Sequence, residues 1–154
     1  MVHDGMEAVI FIGIQGSGKS SFFRERFFDS HVRINLDMLR TRRREELLLA
    51  ACLQAGQPFV IDNTNTVPAD RARYVARARA AGFRTVAYFF ETSLREAMER
   101  NNLRAGKQKV PPPAVAAAFK KLVPPTADER FDEIYTVKLR ADRGFVVARK
   151  DLQE

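Results

Sequence analysis

The chain has 154 residues, of which 45% are hydrophobic and 29% are charged, as expected of a single globular domain spanning 1–154. This composition excludes a disordered or fibrous chain, and the single cysteine excludes an intramolecular disulfide. The 26 Lys and Arg residues outnumber the 19 Asp and Glu residues, so the net charge is +7 and a polyanionic partner is one possibility. No apolar run approaches the roughly 18 residues that a membrane-spanning helix needs, and no leader pattern follows Met1, so we expect a cytoplasmic protein.

Apolar runs typical of strands alternate with segments of helical periodicity, which indicates βαβ units and a parallel sheet. In the first half of the chain the predicted elements are a strand at 8–12, a helix at 19–28, a strand at 32–35, a helix at 38–55 and a strand at 59–61. Gly56 is expected to end the helix at 38–55, because glycine commonly stands just beyond a helix C-terminus.

The second half of the chain continues the alternation and then changes character. The predicted elements are a helix from Pro68 to Gly82, a strand at 85–90, a helix capped by Ser93 and ending near 102, and late strands at 133–138 and 144–148. Residues 103–125 carry several prolines and lysines, which favours a small mobile lid at the surface. The whole order predicts an α/β fold of three layers, with a mostly parallel sheet, helices on both of its faces and a late hairpin.

One segment matches the phosphate-binding pattern G-x-x-x-x-G-K-[ST] in full, namely Gly13-Ile14-Gln15-Gly16-Ser17-Gly18-Lys19-Ser20. It follows a predicted strand and begins a predicted helix, so its N–H groups can hold phosphate oxygens, and the predicted fold is that of a P-loop NTPase. The residues expected to bind ATP are Gly13, Gln15, Gly16, Ser17, Gly18, Lys19, Ser20 and Ser21. Lys19 would bridge the β- and γ-phosphates as a catalytic residue and Ser20 would hold Mg²⁺, whereas the alternative is a glycine loop that matches by chance.

Asp37 comes two residues after the strand predicted at 32–35, so it should lie at the carboxyl edge of a parallel sheet, beside the phosphate loop. A carboxylate at this edge can take the proton of an acceptor hydroxyl, as a kinase requires. Arg40 would share a helix face with Asp37 and could hold an anionic group of the substrate. The alternative makes Asp37 a helix N-cap and Arg40 its ion-pair partner, and the sequence leaves both interpretations open.

Asp62 ends the third predicted strand, the position of an acidic residue near Mg²⁺ in many phosphate-loop proteins. We predict that Asp62 binds the metal together with Ser20 and orients Arg40 or water in the substrate site. The polar run that follows stands at the same strand end, which favours ligand contact and puts Asn65 among the predicted substrate-binding residues. The alternatives are a solvated carboxylate and ordinary turn chemistry.

Arg100 and Arg104 are four residues apart at the end of a predicted helix, where the lid begins. Both could close over a triphosphate and stabilise charge in the transition state, with Arg104 as a catalytic residue. The alternative is an exposed basic helix end that interacts only with the helix dipole. Other arginine-rich stretches are interpreted as solvated helix faces, namely Arg42 to Arg44 and the set Arg71, Arg73, Arg77 and Arg79.

These motifs occur in an order that resembles the polynucleotide 5′-hydroxyl kinase family, over residues 9–131. Beyond the phosphate loop the matching elements are Ile34-Asn35-Leu36-Asp37-Met38-Leu39-Arg40, Ile61-Asp62-Asn63-Thr64-Asn65 and the arginines at 100 and 104. The resemblance implies ATP and Mg²⁺ as cofactors and transfer of the γ-phosphate to the 5′-hydroxyl end of DNA or RNA. It also implies that Asp37 is the general base, that Arg40 holds the substrate phosphate and that the two lid arginines hold the nucleotide.

Three features of the sequence bear on this resemblance and its alternatives. The D-x-D-G-T phosphatase element of the repair enzymes in this family is absent, so removal of 3′-phosphates is not expected. The same motifs are compatible with a P-loop kinase of a small hydroxyl compound, such as a nucleoside, sugar nucleotide or antibiotic, and with an ATP-switched binding module. Because phosphoryl transfer needs a base and an anion-binding group, Asp37 and Arg40 favour a kinase over a switch. The oligomeric state is left open.

Overall fold

A six-stranded sheet lies at the centre of the computed structural model, which describes residues 5–106 and 109–152. Its strands are β1 (Glu7–Ile12), β2 (Val32–Ile34), β3 (Phe59–Ile61), β4 (Arg84–Phe90), β5 (Glu133–Leu139) and β6 (Phe145–Lys150). The spatial order is β2-β3-β1-β4-β5-β6, and the neighbouring strands are parallel except for the antiparallel hairpin of β5 and β6. The predicted α/β class, the mostly parallel sheet and the late hairpin are thereby confirmed.

Helices connect the strands and supply the outer layers. They are α1 (Lys19–Arg26), α2 (Leu36–Leu39), α3 (Arg42–Ala55), α4 (Pro68–Ala80), α5 (Leu94–Asn102) and α6 (Pro112–Lys121), followed by a 3₁₀ segment at Ala127–Glu129. Gly56 ends α3 with a φ of 71°, and the hydroxyl of Ser93 caps α5, both as predicted. Within the two described ranges, no helix is both long and apolar enough to cross a bilayer.

The predicted continuous helix at 38–55 is wrong, because the structure divides this stretch into α2 and α3. Asn35 caps α2 and Thr41 caps α3, each by accepting a backbone N–H with its side-chain oxygen. Between the two helices Arg40 has a φ of 77°, outside the helical region, so α2 stops there. Two capping side chains in succession start two helices, whereas apolar periodicity alone suggested one.

Both faces of the sheet are covered, because successive residues of β1 point to opposite sides. Ile10 packs in one buried cluster with side chains of α3 and α4, and Phe11 packs in another with side chains of α1. The ring of Phe11 lies 5.9 Å from that of Phe22 and 5.8 Å from that of Phe27, centroid to centroid, which is a favourable range for aromatic pairs. The three-layer arrangement of the P-loop NTPase fold is therefore as predicted.

The segment predicted as a lid contains helix α6, which packs beside the glycine-rich loop. Val115 of α6 is buried in a small cluster with Ile14 and Ala97. The side-chain amide of Asn101 donates to the carbonyl oxygen of Val110 at 2.6 Å and accepts the N–H of Val110 at 2.9 Å. These contacts hold Val110 and helix α6 against α5. Residues 107 and 108 lie outside the described residues, and the mobility of the segment stays a prediction.

Arg71 of α4 is fully buried, although the sequence placed it on a solvated helix face. Helical spacing puts it on the same side as Tyr74 and Ala78, which point into the core. Its guanidinium pairs with the carboxylate of Glu129 at 2.9 Å and donates to the carbonyl oxygen of Asn65, also at 2.9 Å. Further bonds reach carbonyl groups of the loop after β3 and of the chain after α6. One buried side chain therefore fastens both segments to α4.

We expect Arg71→Leu to lower the free energy of unfolding by about 3–5 kcal/mol, because the Glu129 carboxylate and several carbonyl groups lose their partner. Arg77→Leu on the same helix removes only an exposed pair with Glu46, and it should cost about 0.2–1 kcal/mol. Urea denaturation of the two variants measures the difference. Equal losses would contradict the anchoring role of Arg71.

Candidate functional site

The glycine-rich loop between β1 and α1 is shaped by contacts that leave no room for a Cβ at Gly13 or Gly16. The N–H of Gly13 donates to the carbonyl oxygen of Thr64 at 3.0 Å, which joins the loops after β1 and β3. Gly16 has a φ of 79°, and a Cβ at this position would overlap the carbonyl oxygen of Ala97 in α5. The hydroxyl oxygen of Ser17 is buried and has no hydrogen-bond partner among the described residues. A phosphate oxygen in the loop would satisfy this hydroxyl, so the loop fits the predicted ligand.

The remaining predicted nucleotide-binding residues of the loop lie at the start of α1. Gly18 has a φ of 101° and stands at the N-cap position, so the first N–H groups of α1 are directed at the loop. Ser20 and Ser21 are in the first turn, with Ser21 exposed. The Oε1 atom of Gln15 is buried and has no partner within the described ranges. The helix N-terminus and these polar groups together favour an anionic ligand.

Lys19 is a half-buried basic group that bonds to the backbone of this loop. Its Nζ atom donates to the carbonyl oxygens of Gly13 at 2.8 Å and of Ile14 at 2.9 Å. Burial lowers the pKa of Lys19 to about 8, because a buried ammonium loses its hydration. The ammonium can therefore exchange its two carbonyl partners for phosphate oxygens, which would compensate its charge better.

Residues far apart in the sequence act electrostatically on Lys19. Asp62 and Asp37 raise its pKa, and Arg104 and Arg33 lower it, each effect being smaller than that of burial. Three of these four side chains are predicted site residues, and the fold brings all three to the phosphate loop. Arg33 was missed by the sequence analysis.

Arg33 joins the two predicted metal ligands in one hydrogen-bonded unit. Its Nε donates to the Oδ2 atom of Asp62 at 2.8 Å, and its Nη2 donates to the Oγ atom of Ser20 at 3.3 Å. The Asp62 side chain is only 2% exposed, so the guanidinium supplies the positive charge that a buried carboxylate requires. The signal available in the sequence was a charged residue within the apolar strand β2.

Asp62 was predicted to orient Arg40 or water, and of these two roles the first does not hold, because Asp62 pairs with Arg33 instead. β2 and β3 are neighbours in the sheet, so Arg33 reaches Asp62 directly, while Arg40 lies beyond α2 and is exposed. Asp62 and Ser20 nevertheless offer a carboxylate and a hydroxyl oxygen, which lie on either side of the Arg33 guanidinium. This donor set fits Mg²⁺, which prefers oxygen ligands.

Helix α2, which carries Asp37, is held at the sheet edge by two asparagines. Asn35 accepts the N–H of Met38 at 2.8 Å, and its amide donates to the carbonyl oxygen of Asp62 at 2.5 Å. Asn63 accepts the N–H of Leu36 at 2.9 Å. The alternative that Asp37 is the helix N-cap is therefore wrong, since Asn35 has that position. Asp37 is left with an exposed carboxylate in the first turn.

A buried carboxylate of α3 holds Asn63 in turn. Glu45 is 4% exposed, and its Oε2 atom accepts the side-chain amide of Asn63 at 3.0 Å. Its Oε1 atom accepts Nη1 of Arg42 at 2.8 Å, and both of its oxygens lie 3.2 Å from the hydroxyl of Tyr74. Glu45 thus links α3 and α4 to the loop that positions α2. The helical pattern of 42–55 gave no sign of this role.

Asn65 is buried in the backbone framework, although it was predicted to bind substrate. The residue is only 5% exposed, and its side-chain amide donates to the carbonyl oxygen of Phe11 at 2.8 Å. Its φ of 47° lies in the left-handed region, which asparagine tolerates better than most residues. This position favours a structural role, tying the loop after β3 to β1.

Arg100 and Arg104 come from α5 and the residues just after it, and both reach the phosphate loop. Nη1 of Arg100 donates to the carbonyl oxygen of Gly16 at 2.8 Å, and its Nη2 pairs with Glu96 at 3.2 Å. Arg104 lies close enough to Lys19 to lower its pKa. The alternative that these arginines interact only with the helix dipole is therefore wrong. The predicted contact of both arginines with a nucleotide stays a prediction.

The sheet order and the loop between β1 and α1 define the chain as a P-loop NTPase fold. Residues 9–125 match the family AAA_33, described as an AAA domain, and the chain belongs to this family.

Several solved structures share this fold at low sequence identity. A gluconokinase from Sinorhizobium meliloti 1021 is 19% identical over 86% of this chain and 82% of its own, with a TM-score of 0.59. Kti12 of Chaetomium thermophilum in complex with ADP-AlF3 is 14% identical over 88% and 92%, with a TM-score of 0.65. A structure of the PezAT chromosomal toxin–antitoxin system of Streptococcus pneumoniae is 14% identical over 91% and 70%, also at 0.65. At these identities the likeness concerns the fold.

We expect the affinity for ATP to fall as pH rises above about 8, the pKa of Lys19 in the free protein. Phosphate oxygens stabilise the protonated amine, so binding above this pH must take up a proton, and Kd should rise by up to about tenfold per pH unit. Titration calorimetry between pH 7 and 9.5 measures this change. Lys19→Arg, whose guanidinium stays protonated, should give a flat profile, and a flat wild-type profile would contradict the assignment.

Arg40 is a non-glycine residue at a φ of 77°, a conformation that costs an arginine about 1 kcal/mol or more. Arg40→Gly should therefore raise the free energy of unfolding by about 1 kcal/mol in urea denaturation. Ala51→Gly, at an exposed position in the middle of helix α3, is the control and should lower it by about 0.5–1 kcal/mol. If Arg40→Gly lost as much stability as the control, the backbone strain proposed at Arg40 would be contradicted.

Proposed function

We propose that the chain is an ATP-dependent phosphotransferase whose acceptor is a small hydroxyl compound, in the range of a nucleoside, sugar nucleotide or antibiotic. The observation that carries this proposal is the proximity of an exposed carboxylate to the phosphate loop. Asp37 acts electrostatically on the ammonium of Lys19, and in this fold that ammonium approaches the terminal phosphates of a bound triphosphate. A binding module that only senses nucleotide would not need a proton acceptor there.

In the proposed reaction each group of the site has a separate task. The N–H groups from Gly13 to Lys19 hold the phosphates, and the Lys19 ammonium turns from its two carbonyl partners to the β- and γ-phosphates. Arg100 and Arg104 stabilise charge on the transferred group. Ser20 and Asp62 would hold Mg²⁺, which when bound neutralises part of the phosphate charge.

Asp37 acts as the base. It accepts the proton of the acceptor hydroxyl while the oxygen of that hydroxyl bonds to the γ-phosphorus and the bond to the β,γ-bridging oxygen breaks, which leaves ADP. α2 holds the Asp37 backbone through Asn35 and Asn63, so the carboxylate is positioned without being buried. Arg40 is exposed three residues further on and would bind an anionic group of the acceptor.

One observation supports a small acceptor over the polynucleotide end implied by the sequence resemblance. One of the similar structures is a gluconokinase, a kinase of a small hydroxyl compound.

The proposal is tested by incubating the protein with γ-labelled ATP and a panel of acceptors that contains nucleosides, sugar nucleotides, sugar acids, aminoglycosides and 5′-hydroxyl oligonucleotides. We expect label in a small acceptor. Label in the oligonucleotides alone would instead support the polynucleotide kinase, and hydrolysis without any labelled acceptor would support the ATP-switched module.

With the labelled acceptor identified, Asp37→Asn should lower kcat by about 10²–10⁴-fold, because the amide cannot take the proton. Its Kd for ATP should change little, since no hydrogen bond joins Asp37 to the phosphate loop within the described ranges and its effect on the pKa of Lys19 is smaller than that of burial. Asp29→Asn is the matched control, an exposed aspartate beyond the far end of α1, and it should leave kcat unchanged. A near-normal rate in Asp37→Asn would refute the base assignment.

A further inference from the structure

Arg33 contacts the site in a way that a surface arginine does not, since all three of its guanidinium nitrogens have partners from different elements. Nε contacts Asp62 after β3, Nη2 contacts Ser20 of α1, and Nη1 lies 4.0 Å from the sulfur of Met38 in α2. The side chain is 29% exposed. The guanidinium is thus fixed in position at the junction of the three loops of the site.

The strand position of Arg33 explains why it faces this junction. Arg33 pairs with Val60 in the register of β2 and β3, and Val60 pairs with Val9 of β1. Val60 and Val9 belong to the buried cluster on the α1 side of the sheet, so Arg33 extends the same row under the first turn of α1. An apolar side chain would be the usual occupant of such a row.

The two side chains that bond to Arg33, Asp62 and Ser20, are those that would hold a metal. We infer that the guanidinium of Arg33 takes the place of the metal when ATP binds without Mg²⁺, by supplying positive charge at this site. Its hydrogen bond to Ser20 must break before Mg²⁺ can bind that hydroxyl. This inference rests on the nucleotide binding included in the proposed function. Two positive charges on one hydroxyl oxygen repel each other, so the guanidinium and the metal compete for Ser20.

Asp62 does not have to be released. Arg33 bonds to its Oδ2 atom, and a carboxylate has lone pairs on two oxygens, so Asp62 can keep the guanidinium while its Oδ1 atom serves a second cation. The competition is therefore confined to Ser20. It follows that Arg33 supports binding of metal-free ATP and reduces the gain in affinity that Mg²⁺ brings.

The measurement is the Kd of ATP with excess MgCl₂ and with EDTA, by titration calorimetry on the full chain without any acceptor. We define the metal ratio as Kd in EDTA divided by Kd in MgCl₂. Arg33→Gln, which removes the charge and retains an N–H donor for Asp62, should raise this ratio at least about tenfold over wild type, the effect expected of one nearby charge. Both a weaker Kd in EDTA and a tighter Kd in MgCl₂ contribute to the rise.

Arg149→Gln is the matched control. Arg149 also lies on an edge strand and pairs with a carboxylate, that of Glu133, but it is at the opposite edge of the sheet. The metal ratio of Arg149→Gln should therefore equal that of wild type. Arg33→Lys covers the case in which Arg33→Gln fails to fold. Its ammonium can pair with Asp62 but cannot span both partners, so its ratio should rise by about threefold or more.

An unchanged metal ratio in the folded Arg33 variants would overturn the inference, as would failure of wild type to bind ATP in both solutions. Failure of the proposed phosphotransferase is a separate result. In that case no acceptor is labelled, while ATP binds and the metal ratio still responds to Arg33.

Discussion

A carboxylate removed from water, that of Asp62, is the constraint around which the site is arranged. A charge buried to this extent requires a cationic partner, and Arg33 of the neighbouring strand provides it with a hydrogen bond of 2.8 Å. The same carboxylate raises the pKa of Lys19, at the end of the phosphate loop. One buried carboxylate therefore interacts with cations from β2 and from the loop after β1, at the edge where the parallel strands end.

Two further buried charges hold the surroundings of that edge. Glu45 fastens Asn63 and, through it, the first N–H of α2, which carries the proposed base Asp37. Arg71 fastens the loop after β3 to α4 and to the chain beyond α6. Breaking a buried pair is costly, because the remaining charge has neither water nor partner. The loops of the site are thus positioned by charged side chains inside the protein, and the exposed groups can be used for ligands.

Several parts of the site could be predicted because they depend on short stretches of chain. The pattern from Gly13 to Ser20 requires a particular loop and helix start, and the strand before Asp37 places that residue at the carboxyl edge of any parallel sheet. Arg33 could not be found in this way, because its role depends on β2 lying beside β3. The division of 38–55 was overlooked for a different reason, since the capping side chains of Asn35 and Thr41 outweigh the periodicity.

By itself the sequence determined the order of strands and helices, the phosphate loop and the edge at which Asp37 and Asp62 lie, because these follow from hydrophobic periodicity and local backbone geometry. Only the tertiary structure decided which cation pairs with Asp62, that Asn65 belongs to the framework, and that Arg71 is buried. These depend on which strands become neighbours and which face of a helix is covered. Such contacts join residues far apart in the chain, and the need of each buried charge for a partner selects among them.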